Sequence, residues 1–223
     1  MSKQSVLPQI QSAIRIIQEK RNDDTQRLPS SEKVILVSGI IDFRTPAAGF
    51  DQPIEMWLAC HERMLRMIAL LVRLREHIAA GGTSESAGVT AASILRYFNE
   101  AAPRHHEDEE IDLFPRLLTQ LKGSERDKIA LTVQDLREEH KQLESAWAEL
   151  RPALVAIEAE AGKSLDDHAT VNFVMRYRQH VERENRLLAP ALQRAFDRDE
   201  LETIGRSMAA RRGVNWEELR ALQ

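Results

Sequence analysis

The sequence predicts an all-α protein: an antiparallel four-helix bundle with an N-terminal extension and a short C-terminal helix. Three observations carry that prediction. Beyond residue 53, apolar residues recur at three- and four-residue steps, the signature of helices with one buried face. Gly81-Gly82, Gly123-Ser124 and Gly162 divide this pattern into long stretches joined by short connections, which place consecutive helices antiparallel. The chain is 43% hydrophobic and 30% charged, with only 9 glycines in 223 residues. That balance suits a packed helical protein better than a disordered one.

The elements follow in order. Leu7, Ile10, Ile14 and Ile17 have helical spacing, so a short amphipathic helix is expected at the N-terminus. The run VILVSGII after Lys33 is expected as a short strand or an extended segment over a core. DFRTPAAGFDQP reads as a loop, and Asp51 with Pro53 marks a helix start. The first bundle helix then runs to Gly81. The second is expected over about 89 to 121 with Pro103 and Pro115 inside it. The third is expected over about 125 to 161, with Pro152 as a kink. The fourth starts near Ser164, which pairs with Asp167 in a capping pattern, and runs to about Phe196. DRDELETIGRSMAARRG reads as a shorter fifth helix ending at Gly213. Residues 1–50 are thus expected as an extension, 51–197 as the bundle and 198–223 as the C-terminal helix. The apolar content of the two flanking pieces points to covering the bundle or forming a homodimer.

A repeated pattern locates the chemistry. RHHEDEEIDLFPRLL and QHVERENRLLAPALQ share the spacing F-x6-H-x3-E-x3-L-x-P-x-L. One copy comprises Phe98, His105, Glu109, Leu113, Pro115 and Leu117. The other comprises Phe173, His180, Glu184, Leu188, Pro190 and Leu192. A helix turns about 100° per residue, so a His and a Glu four apart share one face. Each copy puts an imidazole and a carboxylate on an apolar stripe, where a carboxylate is costly unless paired or metal-bound. Two such pairs point to two metals or one shared cluster. His106 corresponds to Val181 and Glu110 to Asn185. His105 and Glu109 are therefore expected to face inward, His106 to lie outside the ligand set, and Glu107, Asp108 and Asp112 to be solvated.

The first helix offers His61 between Trp57 and Leu65, and the third offers His140 between Leu136 and Leu143. The candidate metal ligands are His61, His105, Glu109, His140, His180 and Glu184. A nitrogen and oxygen set of this kind suits Fe, Mn or Zn, and two carboxylates can bridge two ions about 3.5–4 Å apart. His77 and His168 are expected at the surface, Cys60 as a small buried residue, and Tyr97 and Tyr177 in the core. Pro115 and Pro190 are expected to kink or tighten their helices just past the ligands. The chain contains no E-x-x-H, H-E-x-x-H or C-x-x-C, so carboxylate di-iron bundles of the ferritin type, zinc proteases and thiol metal sites are not indicated.

The stretches HHEDEEIDLFP, HVERENRLLAP, CHERML and EEHKQLE resemble the hemerythrin-like (HHE cation-binding) domains, over roughly residues 51–196. The resemblance implies a four-helix bundle around a non-haem di-iron centre, with two Fe ions as cofactor. His61 and His105 would serve one ion, His140 and His180 the other, and Glu109 and Glu184 would bridge them. Two features differ from the oxygen-carrying hemerythrins. Glu144 stands where those proteins have a fifth histidine, and Glu184 follows its histidine by four residues rather than five. Both look like the bacterial and eukaryotic branch that serves in iron, oxygen or nitric-oxide sensing, iron handling and cluster repair. Glu144 is expected to face solvent or a neighbouring lysine, with a role as a terminal ligand as the alternative.

Small ligands such as O2, NO or peroxide are the expected partners, bound or sensed at this site. Peroxide or NO turnover, iron storage or donation, and a metal-free interaction bundle are the competing readings. Nucleic acid is not expected, since the net charge is −4 and no basic stripe is present. A membrane is not expected either, because no apolar run approaches the ~18 residues of a span. A single cysteine, Cys60, allows no disulfide within the chain, which fits a cytoplasmic protein.

Overall fold

The computed structural model describes residues 49–81, 85–162 and 164–221, all within one compact unit, Ala47–Gln223. The expectations for residues 1–48 lie outside the described residues. The described part has no strand.

Helix α1, Pro53–Ala79, starts at a proline, whose missing N–H costs nothing in a first turn. It ends where Gly81 takes φ +82°, the left-handed conformation that closes helices. Ile54, Trp57, His61, Met64, Ile68 and Leu71 form its buried stripe. Helix α3, Gly123–Glu158, continues unbroken through Pro152 and buries Val133, Leu136, His140, Leu143 and Leu150. Helix α4, Asp167–Leu187, is capped by Asp166, whose carboxylate accepts from the Ala169 N–H. The cap is therefore Asp166, not the expected Ser164–Asp167 pair. The fourth helix also breaks at Leu188 and resumes as α5, Ala189–Ala195, with Pro190 in its first turn.

Helix α2 spans 85–120 without interruption but is not uniform. α-Helical Glu85–Arg96, Ala102–Glu107 and Phe114–Gln120 alternate with two wide π turns, Tyr97–Ala101 and Asp108–Leu113. Each π turn lies just before a proline. Pro103 and Pro115 have no N–H to offer the carbonyl four residues back, and their rings displace it. The Ala102 N–H instead reaches Tyr97 O and the Phe114 N–H reaches Glu109 O, five residues back in each case. Such π turns are frequent at functional sites.

Helices α1 to α4 pack in cyclic order, each against the next and α4 against α1. Helix α6, Arg198–Arg211, is capped by Asp197 and packs against α1 and the second π turn. A last helix, α7, Trp216–Ala221, was not foreseen. Two apolar clusters fill the interior. One holds Met64, Ile68, Phe98, Leu143, Leu150 and Phe173; the other holds Trp57, Leu113, Phe114, Leu136, Leu188 and Leu192. The polar side chains of the repeat lie between them. The two repeated phenylalanines, Phe98 and Phe173, meet edge to face with ring centroids 4.9 Å apart.

Candidate metal centre

Each bundle helix brings at least one histidine to this polar layer, and α2 and α4 each add a glutamate. His61, His105, Glu109, His140, His180 and Glu184 are all buried, none more than 3% exposed. They are held there by sequence neighbours on the same stripes. His61 lies between Trp57 and Met64, and His140 between Leu136 and Leu143, which are all core residues.

The donor atoms converge. Glu109 Oε1 is 2.9 Å from His105 Nε2, and Glu109 Oε2 is 3.2 Å from His140 Nε2. Glu184 Oε2 is 3.1 Å from His61 Nε2 and 3.4 Å from His180 Nε2. Each carboxylate thus reaches across two histidine pairs, His61 with His105 and His140 with His180. Two sets of donor atoms each fall within 4.8 Å of one another: His61, His105, Glu109 and Glu184, and His106, Glu109, His140 and His180. Glu109 belongs to both.

Three of the four outward nitrogens have partners of their own. Glu110 Oε1 is 2.6 Å from His140 Nδ1, and Asn185 Oδ1 is 2.7 Å from His61 Nδ1. Glu139 Oε2 is 3.0 Å from His180 Nδ1. An Nδ1–H donated to these acceptors fixes each of the three tautomers with its Nε2 lone pair facing inward. His105 Nδ1 is buried without a hydrogen-bond partner. Two of the partners occupy matching places in the repeat: Glu110 and Asn185 are counterparts in α2 and α4. Glu139 lies outside the repeat, just before the histidine of α3.

Several expectations need correction. His106 is buried, not outside the set, and its ring stacks on His140 with centroids 4.1 Å apart. His105 and His106 share the α-helical segment Ala102–Glu107, and both enter the layer, one toward each set; the counterpart of His106 in α4, Val181, is buried as well. Asp108 and Asp112 are also buried, not solvated; they are ion-paired to Arg211 and Arg212. Glu107 is exposed as expected, and so are Glu144, His77 and His168. Trp57, unassigned in the sequence, donates its indole N–H to Glu109 Oε1 at 2.6 Å. Only its apolar position was readable; a hydrogen bond to a residue fifty-two positions away leaves no local signal.

The electrostatics follow from this crowding. Burial alone would push Glu109 up, but the charge of His105 and the close approach of His105, His140 and His61 hold it well below the usual carboxylate range. Burial would likewise lower His61 and His140, yet Glu109 and Glu184 raise both to about 9. His106 lies well below the usual imidazole range, through burial and then the neighbouring His140.

The donor set fits a cation. His106 Nε2, Glu109 Oε2, His140 Nε2, His180 Nε2 and both Glu184 oxygens are buried without a hydrogen bond. Each such atom costs about 1–3 kcal/mol, and native interiors hold few of them. His61 Nε2 and His105 Nε2 also face each other at 3.2 Å. Two inward lone pairs at that distance are satisfied together by a shared cation. Imidazoles and carboxylates in this arrangement suit a transition metal.

Comparisons with known proteins agree with this geometry. The sequence profile of the hemerythrin HHE cation binding domain matches residues 52–192. An uncharacterized protein of Haemophilus influenzae is 30% identical over 167 residues, covering 75% of this chain and 94% of the relative. No helix among the described residues is long and apolar enough to cross a membrane.

Proposed function

The chain belongs to the hemerythrin HHE cation-binding domain family, and from that premise we propose that it is a non-haem di-iron protein that binds or senses O2, NO or peroxide. One observation carries the reading: two sets of buried donors share the carboxylate of Glu109. His61 and His105 would hold one ion and His140 and His180 the other, with Glu109 and Glu184 reaching both. His106 Nε2, buried and without a partner, would add a third imidazole on the His140 side. A bound iron pair supplies open coordination positions and redox chemistry for small oxygen and nitrogen ligands. The protein residues orient the imidazoles through Glu110, Glu139 and Asn185. Apolar clusters on both sides of the layer exclude water.

The test is metal content with the absorption spectrum, before and after O2, NO or peroxide. It is run on protein from iron-rich growth, in the wild type, His105→Ala and His106→Val. About two Fe per chain and a ligand-dependent spectral change are expected in the wild type. His105→Ala should lose both, and His106→Val should keep iron but change the spectrum. Two irons with no response to any of the three ligands would reject sensing and leave iron holding or donation. Well under two ions per chain would reject the di-iron reading itself.

A further inference from the structure

The family match ends at residue 192, and α6 lies beyond it. Its last turn nevertheless grips the segment of α2 that carries Glu109. Arg212 donates from Nη2 to Asp108 Oδ2 at 2.6 Å and from Nη1 to Asp108 Oδ1 at 3.0 Å. Arg211 donates to Asp108 Oδ1, and at 2.5 Å to Asp112 Oδ2. Ser207 Oγ donates to the same Asp112 oxygen at 2.7 Å. Arg116 joins the cluster from α2 itself, bridging Asp112 and Glu200.

The two aspartates stand near the two ends of the wide turn Asp108–Leu113, and Glu109 lies between them. A wide turn is a poor hydrogen-bonding frame, so it needs support from outside. Burying two carboxylates is costly unless each is paired and hydrogen-bonded. Asp108 is fully buried and Asp112 nearly so. Apolar residues would fill those positions at less risk, and the bidentate guanidinium contacts add fixed geometry that apolar packing lacks. Helix α6 is itself anchored, with Ile204 and Met208 fully buried in the cluster beside Trp57.

We propose that Arg211 and Arg212 are positioning residues for the metal centre: by holding Asp108 and Asp112 they fix the turn that aims Glu109 at both ion positions. The inference rests on the metal-binding reading above. It makes the C-terminal helix part of the site, and linkage makes the coupling reciprocal. Whatever α6 contributes to metal affinity, a bound metal returns to α6 as stability.

The test is Co(II) titration of the metal-free full-length protein, followed by the Co(II) absorption bands. Thermal unfolding of the metal-free form is measured alongside. The proteins are the wild type, Arg211→Gln/Arg212→Gln, Asp108→Asn, and the control Arg75→Gln, which breaks an exposed pair with Asp167 at the far end of α1. The double variant and Asp108→Asn should each bind Co(II) at least ~10-fold more weakly, with altered bands, as for other outer partners of metal ligands. Their combination should be less than additive, and the control should match the wild type. Hydrogen exchange of the α6 amides in the wild type should slow on Co(II) loading. This last measurement decides the matter if the double variant does not fold.

A drop in thermal stability with unchanged Co(II) affinity and bands would make the clamp purely structural and overturn the proposal. So would α6 exchange that ignores the metal. A wild type that binds no Co(II) overturns the metal reading and this inference together. Tight binding by the wild type and equally tight binding by the variants overturns this inference alone.

Discussion

At the scale of single residues, the two halves of the repeat agree in their donors and differ in what stands behind them. His140 and His180 are backed by the carboxylates of Glu110 and Glu139, and His61 by the amide of Asn185. His105 Nδ1 has no hydrogen-bond partner behind it. A carboxylate behind an imidazole raises its basicity as a ligand more than an amide does. The position nearest His140 and His180 should therefore hold its ion more tightly. Glu139→Gln tests this by putting an amide where a carboxylate stood, with little change of shape. Co(II) titration should then show one of two binding steps weakened by about 10–100-fold and the other nearly unmoved. Equal weakening of both steps, or none, would show that the asymmetry has no energetic weight. The repeat singles out His105, Glu109, His180 and Glu184, while His61 and His140 are readable only as lone histidines within apolar stripes. The partners behind the imidazoles are hidden because the repeat does not preserve their chemistry: Glu110 and Asn185 do the same work with different groups.

At the scale of elements, the α1, α3 and α4 stripes were readable from spacing, and α2 was not. Uniform 100° steps assign His105 inward and leave His106 outside, but this position and its counterpart Val181 are both buried, and α2 carries π turns before Pro103 and Pro115 that its spacing does not show. The prolines were visible; the direction in which the helix would yield was not, since a kink, a break and a wide turn all relieve the same clash. The second copy shows the alternative, with a break at Leu188 before Pro190. The burial of Asp108 and Asp112 was illegible for a different reason. It depends on arginines about a hundred positions away, on a helix outside the repeat. Within α3 the division of labour is simple: His140 serves the polar layer, and Leu150, two to three turns further on, serves only the cluster around Phe98. Leu150→Ala should cost about 2–5 kcal/mol in denaturant unfolding of the metal-free protein. The folded variant should still bind the wild-type complement of metal. A lower metal content in folded Leu150→Ala would mean that distant packing, not the polar layer alone, sets the site.

At the scale of the whole molecule, the metal centre and the stability of the bundle are linked through protons. In the metal-free chain the carboxylates raise His61 and His140 to about 9, against the effect of burial. Unfolded imidazoles titrate near ~6.5. Between those values the folded chain binds more protons than the unfolded chain. The stability these two histidines contribute is complete below about 6.5 and is lost as pH rises through about 9. A cation takes the same nitrogens in their neutral form, so its binding releases protons and strengthens across that window. Its stabilisation grows with the ratio of free metal to Kd. At fixed free Co(II), the Tm gap between loaded and metal-free protein should therefore widen steadily from about pH 6.5 to about pH 9. The metal-free Tm should decline over the same interval. Below that interval the gap should shrink, as protons outcompete the metal for His61 and His140 while Glu109, held well below the usual carboxylate range, stays charged. A gap that is flat or narrows toward alkaline pH would mean that the protons displaced by the metal do not come from these imidazoles, and the ligand assignment of His61 and His140 would fail with it.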